Sequence, residues 1–167
     1  MRWLVIVALL ATAARAEPLP QVTLGGSLGG ADDDVPAHLL VTGELGYRIG
    51  PNLMLLGDLA YGSATDREFG GDGRTRAAST GMLYLRCDRG ACLGASGAVG
   101  YAWHLVVADV LSGDVIEEEH LHHSSVFADA RAVGRLLLDP VALELTLGAR
   151  QSTTLGLVWS LGVHVAL

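Results

Sequence analysis

Apolar residues recur at every second position from Gln21 to the C-terminus, the period of extended strands with one apolar face and one different face. The last segment shows this most plainly. Leu155, Leu157, Trp159, Leu161, Val163, Val165 and Leu167 form one face, while Thr154, Gly156, Ser160, Gly162, His164 and Ala166 form most of the other. Upstream, Val141, Leu143, Leu145 and Leu147 alternate with Ala142, Glu144, Thr146 and Gly148, and Val126, Ala128, Ala130, Ala132 and Leu136 with Phe127, Asp129, Arg131, Val133 and Arg135. Leu93, Ala95, Val99, Tyr101, Trp103 and Leu105 oppose Gly94, Ser96, Ala98, Gly100, Ala102 and His104. The first half repeats the pattern in Val22, Leu24 and Leu28, in Leu39, Val41, Leu45, Tyr47 and Ile49, and in Leu53, Leu55, Leu59 and Tyr61; Thr42, Glu44, Gly46, Arg48 and Asp58 lie opposite. A segment near Thr75 to Cys87 brings the number of strands to eight, and an even number lets an antiparallel sheet close on itself.

The connections alternate in length. Gly30 to Ala37 is medium, Gly50-Pro51-Asn52 tight, Gly62 to Arg74 long, Asp88 to Ala91 tight, Val106 to His122 long, Asp139-Pro140 tight and Arg150 to Thr153 short. The tight turns therefore fall at every second connection, on the same side as both termini. Ahead of the strands, residues 1–16 read as a cleavable secretory signal, with Arg2, the apolar run Trp3 to Leu10 and the small-x-small site Ala14-Arg15-Ala16. That run is too short to cross a bilayer as a helix, which takes about 20 residues, and Gly, Asp, Glu or Arg interrupts every later one.

Periodicity alone does not say which face is outside. A soluble, lipocalin-like barrel would put the Leu/Val face inside and long charged residues outside. The opposite face here is mostly Gly, Ala, Ser and Thr with scattered charges, the composition of a crowded eight-stranded interior. Half of all residues are hydrophobic and only 17% are charged, so the apolar face belongs against lipid. Tyr61, Tyr101 and Trp103 fall near the long-loop ends of their strands and Tyr47 near a turn end, as interface aromatics do.

In its strand number, loop alternation, signal segment and final Val163-His164-Val165-Ala166-Leu167, the chain resembles the small eight-stranded outer-membrane barrels of the OmpA-transmembrane and OmpX type, over roughly Gln21 to Leu167. Those barrels commonly end in an aromatic residue, and this one ends in Leu167. The resemblance implies an all-β, antiparallel, up-and-down transmembrane β-barrel over 17–167, monomeric, in the bacterial outer membrane with both termini periplasmic. It further implies a non-enzymatic, cofactor-free protein that acts structurally or by binding. The expected partners are outer-membrane lipid and lipopolysaccharide, the assembly machinery, and an external ligand at loops 62–74 and 106–122. The alternatives are a lipid A-modifying hydrolase and a soluble secreted ligand-binding barrel.

Charge removes one class of partner. With 11 Arg, no Lys and 18 acidic residues the net charge is −7, so nothing neutralises the phosphates of a nucleic acid. Glu44, Arg48, Asp58, Asp129, Arg131, Arg135, Glu144 and Arg150 all point away from the apolar face, four acids against four bases, and are expected to plug the lumen with mutual ion pairs; Arg76 and Arg86 join them in one phase of their strand. That segment, Thr75 to Cys87, fits two phases, one with Leu83 and Leu85 outward and one with Met82 and Tyr84 outward. Cys87 and Cys92, the only cysteines, flank a tight turn in an oxidising compartment and are expected to form a structural disulfide. Among Glu117 to His123, Glu119, His120, His122 and His123 are chemically able to bind Zn²⁺ or Cu²⁺, although a solvated loop tip is the simpler reading. His123 and Ser125 resemble the pair used by lipid A deacylases, but the orienting acid a serine nucleophile needs is missing.

Overall fold

Alternation builds the wall. In the computed structural model, which describes residues 19–32, 37–65, 71–112 and 115–167, the strands are β1 (Val22–Asp32), β2 (Ala37–Arg48), β3 (Leu53–Thr65), β4 (Asp72–Asp88), β5 (Ala91–Ser112), β6 (Val115–Leu137), β7 (Val141–Gln151) and β8 (Leu155–Ala166). Each pairs antiparallel with its neighbour in sequence, and β8 pairs with β1 to close the barrel. Closure matters in hydrocarbon, where no water satisfies an open sheet edge. The signal expected at 1–16 lies outside the described residues, as do positions 33–36, 66–70 and 113–114.

The outward face is the apolar one. On β8, Leu155, Leu157, Trp159, Leu161 and Val163 are exposed while Val158, Ser160 and His164 are buried, and the same parity runs through β2, β3, β5 and β7. Such a surface is at home in lipid and would aggregate in water. The soluble barrel, which needs the leucines inside, is thereby overturned. On β4 the phase is settled by register: Cys87 pairs with Cys92, and both join Leu83 and Leu85 inside while Met82 and Tyr84 face out. Arg76 and Arg86 consequently face outward and do not belong to the lumen group.

Three tight connections, the start of β1 and the end of β8 lie at one end of the barrel, here the turn end. One of them is the two-residue turn Arg89-Gly90, with φ of 51° and 83°. Paired positive φ values match the right-handed twist of the flanking strands, and glycine adopts them without a Cβ penalty.

The opposite, loop end departs from expectation. The expected loop 106–122 is almost entirely strand: β5 and β6 run for 22 and 23 residues, and beyond Val107↔His120 they pair only with each other. The five-residue extension of β5, 108–112, makes a ribbon about 17 Å long. The expected loop 62–74 likewise shrinks to the stretch between Thr65 and Asp72. Outside lipid both strand faces meet water, so pairing continues after the apolar alternation stops.

The inner face is expected to be mostly Gly, Ala, Ser and Thr with scattered charges. Instead its turn end is apolar: Met54, Leu56, Leu83, Leu85, the cysteines and Val133 cluster there, and Leu19, from the segment ahead of β1, is buried among them. This cluster arises because Leu53 to Leu56 and Met82 to Leu85 are apolar on both faces.

Candidate functional site

Strand parity delivers the expected charges to the interior, and register decides which of them meet. On adjacent β6 and β7, Asp129 pairs with Arg150 and Arg135 with Glu144. These rows nucleate two separate clusters.

Toward the loop end, Asp129 sits between two arginines. Arg150 donates from Nε to Oδ1 at 2.8 Å and from its terminal nitrogen to Oδ2 at 3.1 Å, while Arg131, two residues along the same strand, donates to Oδ2. The Arg150 guanidinium also lies 3.9 Å from the centroid of Phe127, so its second face is covered by the ring quadrupole. Asp129 and Arg150 are buried, and both carboxylate oxygens are occupied.

Toward the turn end, Arg135 donates to Glu144 Oε2 from two nitrogens, at 2.8 and 2.5 Å. Glu144 Oε1 is left facing His164 Nε2 at 3.6 Å, and the other ring nitrogen, Nδ1, lies 3.2 Å from Glu44 Oε1. Glu44 in turn is 3.9 Å from Arg135. A glycine makes this approach possible: Gly25 of β1 pairs with Glu44 on one side and His164 on the other, and a Cβ there would run into the imidazole. Between the clusters, Thr146 and Ser160 share a hydroxyl hydrogen bond of 2.7 Å.

Two of the eight expected lumen residues stand apart. Arg48 is on the inner face but at the turn-end mouth, where it donates to the Leu19 carbonyl at 2.5 Å and to Gln21 Oε1 at 3.1 Å. It anchors the segment that carries Leu19 rather than pairing with an acid. Asp58 accepts from Ser79 at 3.0 Å and makes no ion pair with a described arginine. In place of Arg48 the ion-pair group takes His164. Parity places His164 inside, opposite the leucines of β8, but does not by itself pair an imidazole with the charged residues.

The remaining candidates divide cleanly. Cys87 and Cys92 form a disulfide, S–S 2.05 Å. Strand alternation splits the acid and histidine run on β6: Glu118, His120 and His122 lie on the outward side, with His120 Nε2 3.7 Å from Glu118, while Glu119 and His123 register with the inward Ala108 and His104. Glu119, His120, His122 and His123 therefore do not converge. Among the described residues the one group of three potential ligands is Glu44, Glu144 and His164. His123 and Ser125 share the inner face. Beside His123 on β5, His104 Nδ1 is hydrogen-bonded to Thr75 Oγ1 at 2.7 Å.

Two cavities inside the barrel wall are small, while a third, of about 440 Å³, opens at the turn end beside Arg135 and His164. One of about 40 Å³ lies between Asp58, Phe127 and Arg150, and one of about 30 Å³ between Glu44, Asp58 and Glu144. On the outer face near the loop end, register aligns Tyr61, Arg76 and Trp103 in one row and Ser63, Arg74, Leu105 and His122 in the next. Arg74 and Arg76 are exposed there.

No protein-family model matches the chain, and no curated protein matches it. Solved structures do. Neisserial surface protein A aligns over 87% of this chain and 96% of its own, with a TM-score of 0.59 at 14% identity. A major outer membrane protein from Thermus thermophilus aligns over 86% and 98%, with a TM-score of 0.61 at 12% identity. Ail, the attachment invasion locus protein of Yersinia pestis, aligns over 89% and 98%, with a TM-score of 0.54 at 13% identity. What these share with the chain at such low identity is architecture, and on that ground it has the fold of the small eight-stranded outer-membrane β-barrels.

Proposed function

We propose that this chain is a monomeric, non-enzymatic barrel of the bacterial outer membrane, sealed by its interior, that acts through the surface it presents at the loop end. The observation that carries this reading is the ion-paired interior. Arg150, Arg131 and Asp129 pair at one level and Arg135, Glu144, His164 and Glu44 at another, and the two cavities between these groups, about 30 and 40 Å³, are on the scale of one water molecule. Such a lumen holds the wall together and offers no aqueous path. In this reading residues 1–16 are the cleaved leader, the turn end and both termini face the periplasm, and the β5–β6 ribbon projects outside the cell.

Two surfaces then meet the exterior. Arg76 sits level with Tyr61 and Trp103, one row above Tyr101, and Arg74 one row higher, at the height of lipid phosphates, and both suit contact with the headgroups of lipopolysaccharide. The ribbon itself carries Asp109, Glu118 and Glu119. Ail has been solved with the heparin analogue sucrose octasulfate; an acidic ribbon disfavours such a polyanion here and favours a basic partner surface.

Orientation is the testable core. In a Cys87→Ser/Cys92→Ser background, cysteines introduced at Gly70 or Asp114 are expected to react with a membrane-impermeant maleimide on intact cells, and one at Asn52 to react only after lysis. Reversed accessibility would contradict the assignment of the ribbon to the outside.

A further inference from the structure

The turn-end cluster differs from an ordinary buried ion pair in what it leaves unmet. Glu44 Oε1 and both ring nitrogens of His164 are buried, yet none of them has a hydrogen-bond partner of acceptable geometry. They lie at ion-pair distance, 3.2 and 3.6 Å, but out of line. His164 is only 2% exposed. A buried polar side chain in this condition points to a missing partner.

The chemistry of the donors says which partner. One oxygen from each of Glu44 and Glu144 and one nitrogen of His164 lie within 4.8 Å of one another. A tetrahedral Zn²⁺ with ligand bonds near 2.0–2.2 Å brings neighbouring ligand atoms to roughly 3.4 Å; Glu44 Oε1 and His164 Nδ1 already stand 3.2 Å apart, and Glu144 Oε1, which faces the other ring nitrogen, has to move toward them. Glu144 is prepared for the role, because Arg135 holds Oε2 from two nitrogens and leaves Oε1 directed at the imidazole. A carboxylate fixed through its outer oxygen is the usual support of a metal ligand. With a neutral imidazole, two carboxylates against one guanidinium leave one negative charge for a cation to answer. Space has been made as well, since Gly25 is the residue over which the His164 ring lies.

There is a way in. A cavity of about 440 Å³ opens at the turn end, lined by Thr23, Arg135, Leu137, Pro140, Ala142 and His164, so the imidazole is reached from that side without crossing the ion pairs above it. We propose that Glu44, Glu144 and His164 form a binding site, entered from the turn end, for a divalent first-row transition-metal ion of the Zn²⁺ type. The ion binds the unprotonated ring nitrogen of the neutral imidazole, and water completes its coordination.

The test uses the full barrel, purified in detergent, stripped with a chelator and titrated with Zn²⁺ alone by calorimetry and with Co²⁺ by visible absorption. One saturable site per chain is expected, with the Co²⁺ absorption of a low-symmetry nitrogen and oxygen shell. His164→Ala should weaken binding at least tenfold, as should Glu44→Gln, which keeps the side-chain shape and so preserves the fold if His164→Ala does not. Heat-modifiable migration on unheated gels reports folding of each variant. Joint replacement of His120, His122 and His123 by Ala should leave the site intact. Absence of saturable binding to the folded parent overturns the proposal. So does binding that survives Glu44→Gln undiminished or disappears with the β6 histidines.

Discussion

The two charged layers of the lumen both start from ion pairs across β6 and β7, yet they solve different problems. At the loop-end layer one acid faces two arginines, both oxygens of Asp129 are taken, and Phe127 covers what remains of Arg150. At the turn-end layer two acids face one arginine and an imidazole, and three buried polar atoms stay out of hydrogen-bonding line. A saturated layer is a lock, since each member is costly to remove and none is available for anything else. An unsaturated layer tolerates rearrangement and is free to take a further ligand.

This contrast is easiest to break at Asp129. Asp129→Ala strands two guanidinium groups in a poorly hydrated lumen, and loss of one partner of a buried pair costs about 3 to 5 kcal/mol; urea unfolding in lipid vesicles measures it. If the turn-end layer is the looser one, Glu144→Ala should cost less, about 1 to 3 kcal/mol, because Glu44 stands 3.9 Å from Arg135 and can take over its charge. Equal losses at both positions would erase the distinction between the layers. Smallest is the effect expected between them: Thr146→Ala removes the hydroxyl partner of Ser160 and should cost about 1 kcal/mol. A much larger loss there would mean that the two layers are mechanically one.

How much of this was legible in the sequence depended on whether lipid imposed the pattern. Leucines on β7 and β8 meet hydrocarbon on one side and a crowded lumen on the other, so parity alone placed Asp129, Arg135, Glu144 and Arg150 inside. The β5–β6 ribbon was hidden because nothing beyond the membrane enforces alternation, and a polar run such as Glu117 to His123 pairs as strand just as well as it would form a loop. β4 was ambiguous for the opposite reason: Met82, Leu83, Tyr84 and Leu85 are apolar on both faces, and only the pairing of Cys87 with the inward Cys92 fixes which side is which. That double-sided run was also the signal of the apolar turn-end core, into which Leu19 inserts. Of the lumen site, the ion pairs followed from parity, while His164 did not, because its role depends on the neighbouring strand having Gly25 rather than a side chain.

The central claim is that ion pairs close this barrel, and current through it is the most direct measure. Purified parent protein reconstituted into planar lipid bilayers should give no steady conductance, and Glu144→Ala, although less stable, should give none either, because Arg135, Glu44 and His164 remain in the lumen. Steady ion-selective conductance through the parent would contradict the sealed interior, and with it the assignment of function to the loop-end surface.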